Sequence, residues 1–259
     1  EDKVCIIVSL DFKKAFDKTD RNILAMKLEW YKIDSKLLQA LMNGRGQFVC
    51  CECNGEKLTS ATKCTTLVVV QGSCLSGILF ALLINDLPLQ VKNSVTIMFA
   101  DDSSLIISGH PQDMNNVIQK LECDLVFVSK WLELNKIELN DDKVLFMLAG
   151  KKSKITEIGD ISVKLNGKEV KRVRSLKLLG TIFDEFLEFS FQTKSVIKKC
   201  YASLSLLYPI KSLLNVESRT ILANSLILTK LKYAGIVWST NSKHIQKQVG
   251  FIFSFVAVM

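Results

Sequence analysis

The chain has 259 residues, 48% hydrophobic and 23% charged, with three Pro and twelve Gly, which excludes collagenous, Pro-rich and low-complexity classes. No apolar run approaches the roughly 20 residues that span a bilayer, and the apolar tail 250–259 reads as a truncated end or a core segment. Net charge is +8 but uneven: residues 1–142 carry 15 Lys/Arg against 19 Asp/Glu, and residues 143–259 carry 19 against 7. An acidic half before a basic one suits a metal site beside a polyanion, or simply a solvated basic surface.

In chain order, Val4-Cys5-Ile6-Ile7-Val8 predicts a buried strand running into Leu10-Asp11-Phe12. Residues 12–20 read as a loop ending at Asp20, a cap for a helix carrying Ile23, Leu24 and Leu28. Ser35 is placed to cap a second helix with Leu37, Leu38 and Leu41. Segments 47–53 and 57–66 predict strands around Asn54-Gly55, a strong hairpin signal. The apolar stretch 67–70 leads into Gln71-Gly72-Ser73, then an apolar helix over 76–85 that stops near Pro88.

Val95-Thr96-Ile97-Met98 and Leu105-Ile106-Ile107 predict a hairpin, each strand buried on at least one face, with Asp101-Asp102 at the turn. Pro111 opens a long helix whose stripe is Met114, Val117, Ile118, Leu121, Leu125, Val128 and Leu132. A strand over 144–148, an Asn166-Gly167 hairpin (161–165 with 169–173) and a strand over 178–183 follow. Two helical segments end the chain, one carrying Val196, Ile197, Tyr201, Leu204 and Leu207 and the other Ile221, Leu222, Leu226 and Leu231. The reading is an α+β body with a helical C-terminal module, the boundary lying near 184–192.

Eight cysteines lack zinc-like spacing: Cys50, Cys51 and Cys53 stand without a second pair, and the only histidines are His110 and His244. Small, mostly buried thiols in a reducing compartment are expected. No signal peptide or membrane span is predicted, which points to an intracellular protein with no membrane partner.

Two apolar strands each delivering Asp at an end, Asp11 from one and Asp101-Asp102 from another, can hold hard divalent cations between them. Each carboxylate taken singly is equally a turn former or helix cap.

The order of motifs resembles the reverse transcriptase domain of non-LTR retrotransposons, the jockey-like and LINE-like RNA-directed DNA polymerases. Ser9-Leu10-Asp11-Phe12-Lys13-Lys14-Ala15-Phe16-Asp17 is similar to that family's first palm motif, and Gln71-Gly72-Ser73 through Ile84-Asn85-Asp86-Leu87-Pro88 to its second. Phe99-Ala100-Asp101-Asp102 resembles the third, Trp131-Leu132 through Asn140-Asp141-Asp142-Lys143 the fourth, and Leu178-Leu179-Gly180 the fifth, or primer grip. Leu231-Lys232-Tyr233-Ala234-Gly235-Ile236-Val237-Trp238 is similar to the segment after the thumb. The resemblance implies a right-hand palm over 1–187, with a partial fingers hairpin over 47–66, and a helical thumb-like module over 188–259. It implies Asp11, Asp101 and Asp102 as catalytic residues binding two Mg²⁺ ions (Mn²⁺ as the alternative), joined by the Phe12 carbonyl. Phe16 would be a steric gate against a ribose 2′-hydroxyl, although a bare aromatic there reads more often as core. Gln71, Gly72 and Ser73 would sit beneath template base and nucleotide. Lys143 would act on the phosphates, or be a solvated lysine. Leu179 and Gly180 would press on the primer, or end an apolar strand. Implied partners are an RNA template, a DNA primer and dNTPs; no oligomeric state is implied.

Three features depart from the family. Val68-Val69-Val70 stands where Gly-Val-Pro is usual, which removes built-in turn geometry. Ser76-Gly77 replaces Gly-Pro or Ser-Pro. Only ten residues precede Asp11, so the fingers are expected to be largely missing. A degenerate, inactive remnant that at most binds nucleic acid is therefore the alternative. A different palm-fold enzyme such as a nucleotidyl cyclase is disfavoured by the motif series.

Overall fold

A computed structural model describes residues 2–13, 19–34, 36, 46–47, 50–53, 56–60, 63–64, 75–238, 247, 249–252 and 254. The first strand, β1 (Val4–Leu10), sits inside a six-stranded sheet and is apolar on both faces because both are covered. Helix α1 (Arg21–Trp30) starts where Asp20 accepts from the Asn22 and Ile23 amides at 2.9 and 3.1 Å, the cap expected from sequence. The short strands β2 (Gly46–Gln47), β3 (Cys50–Cys53), β4 (Glu56–Thr59) and β5 (Lys63–Cys64) pair as β2 with β5 and β3 with β4. Cys53 faces Glu56, so the hairpin falls where Asn54-Gly55 predicts it. The helix expected after Ser35 lies outside the described residues, as do Phe16, Gln71, Gly72 and Ser73.

Helix α2 (Ser76–Ile84) ends in a turn at Pro88, and strands β6 (Val95–Phe99) and β7 (Asp102–Gly109) form the expected hairpin. Helix α3 (Met114–Leu134) buries every residue of the predicted stripe. Strand β8 (Leu145–Ala149), helix α4 (Lys152–Ile158), and strands β9 (Val163–Leu165) and β10 (Lys168–Arg172) complete the body. Sheet order is β6-β7-β1-β8-β10-β9, antiparallel except where β10 runs parallel to β8. Val4, Ile6, Val8 and Leu10 pack on α1, α2 and α3, so the main core lies on that side of the sheet.

Ile7, Met147 and Ala149 face the other way, onto Leu176 of a separate hairpin, β11 (Ser175–Leu178) and β12 (Thr181–Asp184). The strand expected over 178–183 is corrected here. Leu178 pairs with Thr181, and the chain reverses through Leu179 and Gly180, both in left-handed backbone at φ 47° and 81°. Two adjacent positive-φ residues make the tight turn that matches strand twist. Helices α5 (Ser190–Leu207), α6 (Val216–Ala223), α7 (Thr229–Lys232) and α8 (Gly235–Trp238) follow, a π-helical turn at Asn224–Leu228 joining α6 to α7. They enclose a second core around Val196, Cys200, Leu204, Ile227 and Trp238. The architecture is α+β, a mixed sheet backed by helices and followed by a helical module.

Strand β6 is an edge strand: Met98 on one face packs against the main core, while Val95, Ile97 and Phe99 on the other are exposed. Among the described residues, Cys200 is buried, Cys5 is half-buried and Cys123 is exposed on the solvent side of α3. Among the described residues, no helix is long and apolar enough to cross a membrane.

Candidate active site

Antiparallel pairing of β1 with β7 sets Leu10 against Ser103 and Ser9 against Ser104. One more step in that register puts Asp11 opposite Asp102. Because side chains alternate, Asp11 and Asp102 share the face that carries Ser9 and Ser104, opposite the helices. Phe99 pairs with Asp102, so the β6–β7 loop is the two-residue turn Ala100-Asp101. Ala100 carries a φ of +53° and Asp101 does not, the pattern of a type II′ turn that prefers glycine at its first position. A Cβ in that backbone costs about 1 kcal/mol. The hairpin tip thus holds local strain beside two exposed carboxylates.

Asp11 is tied down from the segment after α3. Phe12 bridges Leu139 through flanking groups: the Asn140 amide donates to the Asp11 carbonyl, and the Lys13 amide to that of Glu138, both at 2.8 Å. The Asn140 side chain donates to Asp11 Oδ2 at 3.2 Å, and Lys143 Nζ lies 3.4 Å from the same oxygen. Both partners of that ion pair are solvent-exposed, so it contributes little stability but leaves an ammonium at the carboxylate. Phe12's ring is buried in the main core, which fixes the backbone that Asp11 shares. Partial burial raises the Asp102 carboxyl above the usual range, and the charges of Asp101 and Asp11 raise it further. Three carboxylates with one ammonium between them form an electron-rich, oxygen-lined end of the sheet.

The β11–β12 turn closes one side. Ser9, Ile97, Phe99, Asp102, Lys177 and Leu179 line a cleft between that turn and the sheet. Of the expected site residues, Asp11, Asp101, Asp102, Lys143 and Leu179 therefore gather at one end of the sheet, with Gly180 in the turn just beyond. Phe12 contributes from beneath. Phe16, Gln71, Gly72 and Ser73 fall outside the described residues.

One residue that the sequence reading passed over and one that it named only as part of a motif support the site. Asp124 of α3 is fully buried and holds the loop that feeds β6. Its oxygens accept from the amides of Lys92, Asn93 and Ser94 at 3.1, 3.0 and 2.7 Å, and from Asn93 Nδ2 and Ser94 Oγ at 2.9 and 2.8 Å. A carboxylate on the apolar stripe, three residues after Leu121 and four before Val128, was the available signal. Asn140 is the other, its side chain aimed at Asp11.

The family described as reverse transcriptase (RNA-dependent DNA polymerase) matches residues 1–183. No curated protein matches the sequence. Among solved structures, apo telomerase from Candida tropicalis truncated from its C-terminal domain aligns with a TM-score of 0.45 and 14% identity, over 70% of this chain and 34% of that one. Telomerase from Candida albicans in complex with a TWJ fragment of telomeric RNA aligns with a TM-score of 0.36 and 14% identity, over 98% and 43%. A further apo telomerase from Candida tropicalis aligns at 0.40 and 12%, over 98% and 46%. The chain thus spans between a third and a half of the length of each.

Proposed function

The chain belongs to the reverse transcriptase (RNA-dependent DNA polymerase) family, and from that premise we propose that it is the polymerase domain of a non-LTR retrotransposon, adding dNTPs to a primer 3′-hydroxyl on an RNA template. The observation that carries this reading is the strand register that sets Asp11 across from Asp102, with Asp101 in the adjoining turn, at one end of the sheet.

The donor set suits a hard divalent cation, since it offers carboxylate oxygens and excess negative charge. Among the described residues, no three His, Cys, Asp or Glu side chains are already drawn together as a metal cage. Asp11, Asp101 and Asp102, with the Phe12 carbonyl, would hold two Mg²⁺ ions, Mn²⁺ being the alternative. Held by these residues, the ions would supply Lewis acidity toward the primer hydroxyl and positive charge toward the triphosphate.

The chain's own residues do the remaining work. Asn140 holds the Asp11 carboxylate, and Lys143, 3.4 Å from Asp11 Oδ2, would exchange that carboxylate for a phosphate oxygen as the triphosphate arrives. Phe16 excludes a 2′-hydroxyl, while Gln71, Gly72 and Ser73 support the template base and the nucleotide. Leu179 and Gly180 press on the primer backbone. Residues 1–187 act as the palm and the basic helices of 188–259 as a thumb, with exposed Lys194, Lys198 and Lys199 meeting duplex phosphates.

A second reading, an inactive remnant that binds nucleic acid through those helices, is favoured by Val68-Val69-Val70 in place of Gly-Val-Pro. Extension of a DNA primer on a heteropolymeric RNA with Mg²⁺ separates the two. The chain is expected to copy the template in order and to stall where a withheld dNTP is required. Untemplated tailing, or no extension by a folded preparation that still binds duplex, contradicts the polymerase reading.

A further inference from the structure

The Leu179–Gly180 turn is held by the C-terminal helices as well as by the sheet it faces. Tyr233 Oη donates to the Leu179 carbonyl at 2.6 Å. Its ring lies against Gly180, where a Cβ would come within 3.5 Å of Cε1 and 3.6 Å of Oη. Tyr233 is fixed in turn: its amide donates to the Thr229 carbonyl at 3.0 Å, and its carbonyl accepts from Trp238 Nε1 at 3.0 Å. Trp238 is 1% exposed, at the centre of the second core. A further link joins the hairpin to α5, where the Ile182 amide donates to the buried Gln192 Oε1 at 3.0 Å. A chain of contacts therefore runs from the helical core through Tyr233 to a turn that lines the cleft with Asp102.

Leucine in left-handed backbone is unfavourable, so an unsupported Leu179 would leave this conformation for part of the time. The hydroxyl of Tyr233 is the contact that opposes this.

We propose that Tyr233 is a positioning residue that latches the Leu179–Gly180 turn to the C-terminal helices, so that the primer terminus beside Asp102 is placed by the helical module. The latch itself is read from the contacts; its role toward a primer rests on the polymerase reading above. Tyr233→Phe removes one oxygen and keeps the ring against Gly180. Two readouts on the 259-residue chain test it. Hydrogen exchange of the amides at 179–182 is expected to quicken roughly three- to tenfold in the variant, the range for one net hydrogen bond, with exchange in β1, β7 and α3 unchanged. Affinity for a labelled RNA–DNA primer duplex, measured by fluorescence anisotropy without metal or nucleotide, is expected to fall severalfold, and Tyr233→Phe should raise KM for duplex without raising KM for dNTP. Unchanged exchange at the turn overturns the latch. Faster exchange with unchanged duplex affinity overturns the positioning role and leaves a purely structural contact. A wild-type chain that binds no duplex overturns the polymerase reading and the primer role together, while the exchange comparison still decides the latch.

Discussion

Asp11→Asn is expected to reduce Mg²⁺-dependent nucleotide addition by at least about 10³-fold, since losing a cation ligand removes several kcal/mol of transition-state stabilisation at a factor of ten per about 1.4 kcal/mol. Asparagine keeps the size and one oxygen of Asp11, and the backbone bridge through Asn140 and Lys13 does not involve the side chain. The fold should therefore survive, with an unfolding midpoint close to that of the parent. Asp102→Asn is expected to abolish addition as well, with no loss of stability. Asp102 is crowded by partial burial and by the charges of Asp101 and Asp11, so removing its charge relieves repulsion in the folded chain. The variant should be at least as stable as the parent at neutral pH in urea unfolding. Loss of activity with gain of stability marks a group kept for chemistry; a marked loss of stability in Asp102→Asn would give that carboxylate a structural role instead.

The second large effect lies far from the carboxylates in sequence. Asp124→Ala is expected to destabilise the chain by about 2–4 kcal/mol, because it strands three backbone amides and two side-chain donors that now share one buried acceptor. The cost is concentrated on β6, an edge strand with one neighbour and an exposed apolar face, whose entry Asp124 fixes. Guanidinium unfolding measures the loss, and hydrogen exchange should show β6 opening first. Burial alone would push the Asp124 carboxyl up, but hydrogen bonds from Ser94, Lys92 and Asn93 outweigh it and hold the group below the usual carboxylate range. The folded value therefore lies below the unfolded one, and the folded state releases this proton more readily. Its stabilisation is complete above the unfolded value of about 3.9 and is lost as pH falls through the lower folded value. Asp124→Ala should flatten that acid limb; an unchanged acid limb in the variant would contradict the assignment.

Much of this architecture is legible in the sequence where a period or a turn signal is strong. The α3 stripe, the Asn54-Gly55 and Asn166-Gly167 hairpins, the Asp20 cap and the strand-borne Asp11 and Asp101-Asp102 all follow from spacing and residue type. Other features resist such reading for physical reasons. Leu178-Leu179-Gly180-Thr181 looks like continuous strand because leucine rarely adopts left-handed backbone, and the contact that holds it there comes from Tyr233, 54 residues later. The apolar run of β6 signals burial, yet an edge position leaves half of it to solvent. Asp124 breaks an apolar stripe and would be dismissed as a surface residue without sight of the loop it binds. Helix α4 is short, with one buried residue, Ile155, so it carries too weak a period to announce itself.

The measurement that bears most directly on the account is primer extension on an RNA template with dNTPs and Mg²⁺, comparing the chain with its Asp101→Ala/Asp102→Ala variant. The account predicts templated extension by the parent and none by the variant, with both folded and both binding duplex. Extension by both would place the chemistry elsewhere than at these carboxylates, and extension by neither, in folded preparations, would contradict the claim that this chain is a working polymerase.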